Sequence, residues 1–381
     1  MVNILLDKLK KYYLRNKILN QHNVNIGMEY IFPDYKNSIY NLHYAILDYF
    51  GIKNRERGKI KLENKKNKLL FIFVDSLGIN LLNKLNLKLE YHEMTSVLPS
   101  STTTALPSFF FGLRPSEHMM FIRTKTTKLS GTLLWFPYYY VYPTRSAPIV
   151  DITFVYNFDT IFTKLKKKEL KSLSIIHNSL ENTALTKILY KDSDIKYYLN
   201  WFNAVELILE NKNYDFIIWY LMDIDDLSHQ YGIGHPSILL ALKYLFELIE
   251  YIKEKDVFDI IISTDHGQTK VNKMRLLEEL QNNPNVERIY GDRRAIMIDG
   301  ELEDINKIFP EDDYFVFYKE EAFKLLGGKG NKKIMPDYLI VPKKGEEMRI
   351  RLGFDDKPES EFKSAHGGLT EDEQRIPLIT F

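Results

Sequence analysis

LLFIFVDSLG (69–78) decides the fold: six consecutive apolar residues run straight into Asp75. A run that is continuously apolar, rather than alternating, reads as a parallel strand buried on both faces. Two further stretches repeat the pattern. FIIWYLM (216–222) leads to Asp223, Asp225 and His229, and DIIIST (259–264) leads to Asp265 and His266. Open α/β sheets carry their sites outside the carboxyl ends of such strands. Three strands delivering carboxylates and imidazoles to one edge predict a metal centre, with two ions expected. Its candidate ligands are Asp75, Asp225, His229, Asp265, His266 and, far along the chain, His366.

Around these strands the chain alternates between β and α patterns. Residues 28–51 suggest a Pro-marked turn and then a helix with Ile39, Leu42, Ile46 and Phe50 on one face. Residues 103–112 look helical and stop at Gly112. Amphipathic helices are expected over 195–210 and 236–254, the second opening on Pro236. KLKKKELK (164–171) reads as a solvated helix face. From 275 to 335 the character changes to short strands with a helix at 318–326. That segment is expected to be a small lid inserted before a last strand, DYLIVP (337–342). The glycines of GGKG (327–330) fit a flexible turn, since a phosphate loop needs Gly-Lys-Ser/Thr opening a helix. The expected architecture is a single α/β domain over 1–381, with a mainly parallel central sheet flanked by helices.

Composition bounds the chemistry. The chain has 381 residues, 45% hydrophobic and 27% charged, which is ordinary for a globular protein. A net charge of +1 gives no global bias towards nucleic acid. With no cysteine, disulfides, thiolate metal sites and cysteine nucleophiles are excluded. No apolar stretch approaches the roughly 20 residues of a membrane span. MVNILLDKLKKYYLRN (1–16) lacks a signal-peptide pattern, so a cytoplasmic location is expected. Its basic amphipathic character suits docking on the domain better than a membrane surface.

LPSSTTTALPSFFFG (98–112) supplies a candidate nucleophile. Its hydroxyl cluster precedes a helix-like run, so one hydroxyl would sit at a helix N-terminus, where free N–H groups favour a phosphate. An ordinary Ser/Thr N-cap reads equally well in isolation. Beside a metal constellation the hydroxyl becomes a candidate nucleophile.

VDSLG (74–78), LPSSTTTALPSFFFGLRPSEH (98–118), DDLSHQYG (225–232), STDHGQT (263–269) and AHGGLT (365–370), in this order, resemble the type I phosphodiesterase/nucleotide pyrophosphatase family of the alkaline phosphatase superfamily. The resemblance runs through nearly the whole chain and implies an alkaline phosphatase-like fold. In the family the nucleophilic Thr lies three residues after the motif's Pro and ten before its closing Gly. Both counts give Thr102. The resemblance implies one ion held by Asp225, His229 and His366, and another held by Asp75, Asp265, His266 and the Thr102 oxygen. It implies a phosphothreonyl intermediate and a small phosphodiester or nucleotide substrate. Animal-type members carry an Asn three residues after the Thr; here that place is Ala105. Carboxylates and imidazoles without thiolates suit Zn²⁺, and also Mn²⁺ or Fe²⁺.

Substrate contacts are less sharply marked. The aromatic segment 135–142, Tyr139 within it, could receive a nucleobase or simply pack a lid. Arg145, with Arg123, Arg293 and Arg294, is a candidate phosphate clamp, although each alone suits a surface role. His118 and His235 read as structural. Alternatives are a phosphomonoesterase or phosphoglycerate-mutase-like member of the superfamily, or an idle member whose metals hold a binding fold.

Overall fold

The computed structural model describes residues 30–54, 56, 58–125, 132–134, 141–142, 156–350 and 362–381. Strands are numbered along the chain, and helices likewise as they enter. The central sheet has seven strands. They are β1 (Leu69–Val74), β2 (His92–Thr95), β6 (Ser172–His177), β7 (Asp194–Tyr198), β8 (Phe216–Leu221), β9 (Asp259–Ser263) and β18 (Arg375–Thr380). Their spatial order is β2-β18-β9-β1-β8-β6-β7. The five from β9 to β7 are parallel, and β18 pairs antiparallel with both β9 and β2. This is the mainly parallel α/β sheet that the three apolar runs predict. Those runs are its three adjacent middle strands, so their carboxyl ends share one edge.

Every residue of β1 and β8 is buried because helices cover both faces. The two-residue period divides them cleanly. Phe71, Phe73, Phe216, Ile218 and Tyr220 face a core shared with α1 (Ile39–Tyr49), α2 (Thr102–Phe111) and α3 (Ile161–Lys166). Leu70, Ile72, Val74, Ile217, Trp219 and Leu221 face another, filled from α4 (Trp201–Glu210) and α6 (Pro236–Lys253).

α2 spans almost the stretch expected from its sequence. It stops at Gly112, whose φ of +66° is the left-handed conformation glycine tolerates at a helix end. A side chain there would also strike the His43 ring.

A second seven-stranded sheet, entirely antiparallel in its pairs, has the order β14-β15-β13-β12-β3-β4-β5. Its members are β3 (Arg123–Lys125), β4 (Thr132–Leu134), β5 (Val141–Tyr142), β12 (Val286–Asp292), β13 (Ala295–Gly300), β14 (Tyr314–Tyr318) and β15 (Tyr338–Pro342). Two short pairs complete the strands: β10 (Thr269–Lys270) with β17 (Ser364–Ala365), and β11 (Lys273–Leu276) with β16 (Glu346–Arg349).

DYLIVP therefore belongs to the second sheet, and the strand that closes the central sheet is RIPLIT. Both are short apolar runs, and such a run does not say which sheet will take it. Residues 195–198, expected as the start of a helix, instead lie in β7, and the helix begins at Trp201. Asn200 caps it, its side chain accepting from the Asn203 N–H.

Candidate active site

Asp75 follows β1 directly. Asp225 sits in the first turn of α5 (Asp223–Tyr231), which begins two residues after β8. Asp265 and His266 lie just past β9, in a turn packed so tightly that a Cβ on Gly267 would fall 2.1 Å from the Asp372 carbonyl. His366 follows β17. One edge thus gathers four segments remote in sequence.

Ligand-type atoms of Asp75, Asp265 and His266 lie within 4.8 Å of one another, as do those of Asp225, His266 and His366. His229 Nε2 is 3.3 Å from Asp225 Oδ2. The His229 and His366 rings are 5.1 Å apart, and His366 stacks on His266 at 3.8 Å. His266 thus belongs to both clusters, and the six candidate ligands form one contiguous group.

The hydrogen bonds leave a consistent set of lone pairs. His229 Nδ1 meets the Ser364 carbonyl at 2.8 Å, and His366 Nδ1 meets the Ser100 carbonyl at 3.2 Å. His266 Nδ1 meets the Gly267 carbonyl at 3.1 Å. A carbonyl only accepts, so each of the three rings carries a proton on Nδ1, and Nε2 is the nitrogen turned inward and offered as a ligand. Asp265 Oδ1 accepts from the Ser76 and His266 N–H groups and the Thr264 hydroxyl. Asp75 Oδ2 accepts from the Tyr220 hydroxyl at 2.5 Å. The other oxygens, Asp75 Oδ1 and Asp265 Oδ2, are buried without a hydrogen-bond donor among the described residues. They stand 3.6 and 3.4 Å from His266 Nε2. Two buried carboxylate oxygens without a hydrogen-bond donor, converging on an inward-turned imidazole nitrogen, are costly by themselves and fit a divalent cation.

The electrostatics separate the groups: burial lowers His229, but the adjoining Asp225 outweighs it and raises that imidazole above its ordinary value. Burial, then the charges of Asp265 and Asp225, push the Asp75 carboxyl well above the usual range. Burial likewise raises Asp225, but the neighbouring histidines, His229 foremost, outweigh it and hold that carboxyl low. Burial, then the nearby His266, drives His366 far below its ordinary value and keeps it neutral, as a ligand must be.

Thr102 is the first residue of α2, ahead of the first intrahelical hydrogen bonds. Its Oγ1 lies 3.1 Å from His266 Nε2 and 3.4 Å from Asp75 Oδ2. Its neighbours turn away. Thr103 and Thr104 are buried, and the Thr104 hydroxyl donates to the Met120 carbonyl at 3.1 Å. Ala105 is fully buried in the core shared with β1.

The expected phosphate clamps fare differently. Arg294 is fully buried and committed to Glu373 through Nε at 2.6 Å and a second nitrogen at 3.1 Å. Glu373 in turn accepts from the N–H groups of Gly368 and Thr370, so the pair holds the loop carrying His366. Arg294 is thus a structural anchor, its partner 79 positions away and invisible to local pattern. Arg293 lies over the Phe362 ring, which stacks on His229. Tyr139 and Arg145 fall outside the described residues. His118 is buried and hydrogen-bonds the Ser108 hydroxyl at 2.9 Å, a structural role.

Three residues that the sequence reading gave no role also reach the centre. Tyr220 holds Asp75. Ser76, at a φ of +70° unusual for a serine, directs its hydroxyl to Asp225 Oδ1 at 2.9 Å. Gln268 donates to the same oxygen at 2.6 Å. A hydroxyl inside an otherwise apolar strand was the available signal for Tyr220.

Residues 123–367, well over half the chain, match the model of the type I phosphodiesterase / nucleotide pyrophosphatase family. The chain belongs to this family. Its members are hydrolases acting on phosphoester bonds. No curated protein sequence matches the chain. Among solved structures it resembles murine ectonucleotide pyrophosphatase / phosphodiesterase 5, at 16% identity and TM-score 0.61, over 82% of this chain and 87% of that one. The human counterpart aligns at 16% identity and TM-score 0.59, over the same shares. Phosphonoacetate hydrolase from Sinorhizobium meliloti 1021 aligns at 14% identity and TM-score 0.58, over 83% and 90%. These likenesses establish the alkaline phosphatase-like fold of this family member. Among its described residues no helix is long and apolar enough to cross a membrane.

Proposed function

We propose that this family member is a metal-dependent phosphodiesterase or nucleotide pyrophosphatase with Thr102 as nucleophile. The observation that carries the proposal is the place of Thr102 Oγ1, at a helix N-terminus and 3.1 Å from the inward nitrogen of His266. Asp75, Asp265, His266 and Thr102 would hold one divalent ion, and Asp225, His229 and His366 another. Bound there, the ions would neutralise charge on the phosphoryl oxygens and favour the ionised forms of attacking and leaving hydroxyls. Imidazole-rich, thiolate-free sites favour Zn²⁺, with Mn²⁺ or Fe²⁺ as alternatives.

The chain's own groups define the rest. α2 directs its first N–H groups and positive end towards a phosphoryl group in front of Thr102. Thr102 Oγ1 gives its proton to solvent and attacks phosphorus, the bond from phosphorus to the leaving oxygen breaks on the opposite side, and the alcohol or nucleotide departs, its oxygen taking up a proton from solvent as needed. Water then cleaves the phosphothreonyl ester and restores Thr102. A murine relative in the inactive threonine-to-alanine form, in complex with AMP, supports both the nucleophile and a nucleotide-like substrate.

A diester suits the site better than a monoester. A dianionic phosphoryl group calls for additional positive charge, and Arg294 is already bound to Glu373. Ala105, in place of an amide donor, offers the phosphoryl group no side-chain hydrogen bond. The second sheet is proposed as an integral cap of a single 381-residue domain. A cysteine-free chain suits a cytoplasmic setting.

The test compares bis-aryl and mono-aryl phosphates with the metal-loaded protein, with and without chelator. Higher kcat/KM on the diester, lost on chelation, is expected. A preference for the monoester would move the protein to a phosphatase role. Turnover that survives complete chelation would end the metal-dependent reading.

A further inference from the structure

Gln268 is 4% exposed and lies between His266 and β10, two residues past the imidazole that both ligand clusters share. Its Nε2 meets Asp225 Oδ1 at 2.6 Å and the Asp225 carbonyl at 3.3 Å. Both are acceptors, so the amide orientation is fixed: nitrogen towards Asp225, oxygen away. The amide oxygen meets the hydroxyl of Ser364. Ser364 opens β17, which pairs with β10 and leads directly to His366. The Ser364 carbonyl is also the group that fixes the His229 ring, at 2.8 Å. One buried amide therefore touches Asp225 and, through a single strand residue, the segment that orients His229 and carries His366.

We propose that Gln268 is a positioning residue that assembles the Asp225, His229 and His366 cluster and presents Asp225 through one oxygen. This rests on the reading that these three residues hold a cation. Asp225 Oδ1 already accepts from Gln268 and from the Ser76 hydroxyl at 2.9 Å. Oδ1 lies 3.8 Å from His366 Nε2, but two donors occupy its in-plane lone pairs, so Oδ2, 3.3 Å from His229 Nε2, is the oxygen left for a cation. Without the amide, Asp225 would rotate between its oxygens, and the β17 segment would keep only its direct bonds to α5, from Ser364 to Ser228 and His229 and from Lys363 to the His229 carbonyl, none of which reaches Asp225. The other cluster has its own supports. Tyr220 holds Asp75, and backbone N–H groups hold Asp265. The loss should therefore fall on one cluster.

The experiment titrates Zn²⁺ into the full-length protein against a chromophoric chelator, for wild type and Gln268→Met. Methionine keeps the length and removes both polar contacts. Wild type should bind two equivalents. In the variant one equivalent should keep its affinity within about twofold, while the other weakens by about 10–100-fold, as loss of an outer hydrogen-bond partner does. The melting temperature of the metal-free variant should fall by no more than about 4 °C, the cost of the lost buried hydrogen bonds. Unchanged affinity for both equivalents would overturn the proposal. So would equal weakening of both together with a larger fall in metal-free melting temperature, which marks mere destabilisation. If Gln268→Met does not fold, Ser364→Ala removes one arm of the same bridge and should weaken the same equivalent, in the same direction, by a smaller factor. Unchanged affinities there count against the proposal as well. Wild type binding fewer than two equivalents would sink the cation reading itself, whatever the variants do.

Discussion

Replacing Asp75 by Asn should stabilise the metal-free protein, the reverse of an ordinary change at a buried polar site. Asp75 is 2% exposed, one of its oxygens has no donor among the described residues, and Asp265 and Asp225 press on it as like charges. The amide of Asn has nearly the same shape. Its oxygen can still accept from Tyr220, and its NH₂ can donate to the unpartnered oxygen of Asp265. Relieving one unsatisfied buried charge and satisfying one acceptor is worth about 1–3 kcal/mol. Unfolding entropy of about 2.1 cal/mol/K per residue gives roughly 0.8 kcal/mol/K for 381 residues taken as one cooperative unit. The expected rise in Tm is therefore about 1–4 °C in chelator. With metal the order should invert. At this site wild type at 1,000 times its Kd gains about 4.1 kcal/mol, or about 5 °C, and the variant, short of one anionic ligand there, gains little from it. Thermal melts of both proteins, in chelator and in Zn²⁺, read all four values. If Asp75→Asn melts lower than wild type in chelator, the crowded-carboxylate argument is refuted and Asp75 is a structural residue.

Two further outcomes follow from the geometry. Thr102→Ala should abolish diester turnover with metal retained, and Thr102→Ser should keep part of it, since a primary hydroxyl can attack in the same way. Thr103→Ala or Thr104→Ala losing activity while Thr102→Ala keeps it would reassign the nucleophile. Lys164 offers a pH test away from the site. Its ammonium donates to the Phe111 carbonyl and to His43 Nε2, and burial lowers its pKa to about 8. Between about pH 8 and 10.5 the unfolded chain holds this proton and the folded one releases it, so stability from this group rises with pH. Urea titrations should show wild type gaining on Lys164→Met by up to roughly 3 kcal/mol over that window. A gap that does not vary with pH would contradict the assignment.

The middle of the fold was legible because burial on both faces leaves an unmistakable mark. LLFIFV, FIIWYL and DIIIS have no polar face to confuse them, and the candidate ligands stand immediately beyond each. RIPLIT was missed because it is short, holds Pro377, and has a local pattern no different from that of DYLIVP in the other sheet. The strand DIKYY was missed because it is the polar edge of the sheet, where only one neighbour imposes burial. The site divides in the same way. Asp and His at strand ends announce themselves by residue type. Ser76, Tyr220, Gln268 and the Arg294–Glu373 pair act through partners dozens or hundreds of positions away, so only the folded chain brings their roles together.

The central claim is that Thr102 carries the phosphoryl group. It is tested by mixing the metal-loaded protein with a diester, quenching with acid within one turnover, and mapping phosphorylated peptides by mass spectrometry. The account predicts a phosphoryl adduct on Thr102 in wild type, and on the serine of Thr102→Ser. It predicts none in Thr102→Ala or in chelator. Product release in the first turnover with the adduct on another residue, or undiminished turnover by Thr102→Ala, would contradict it.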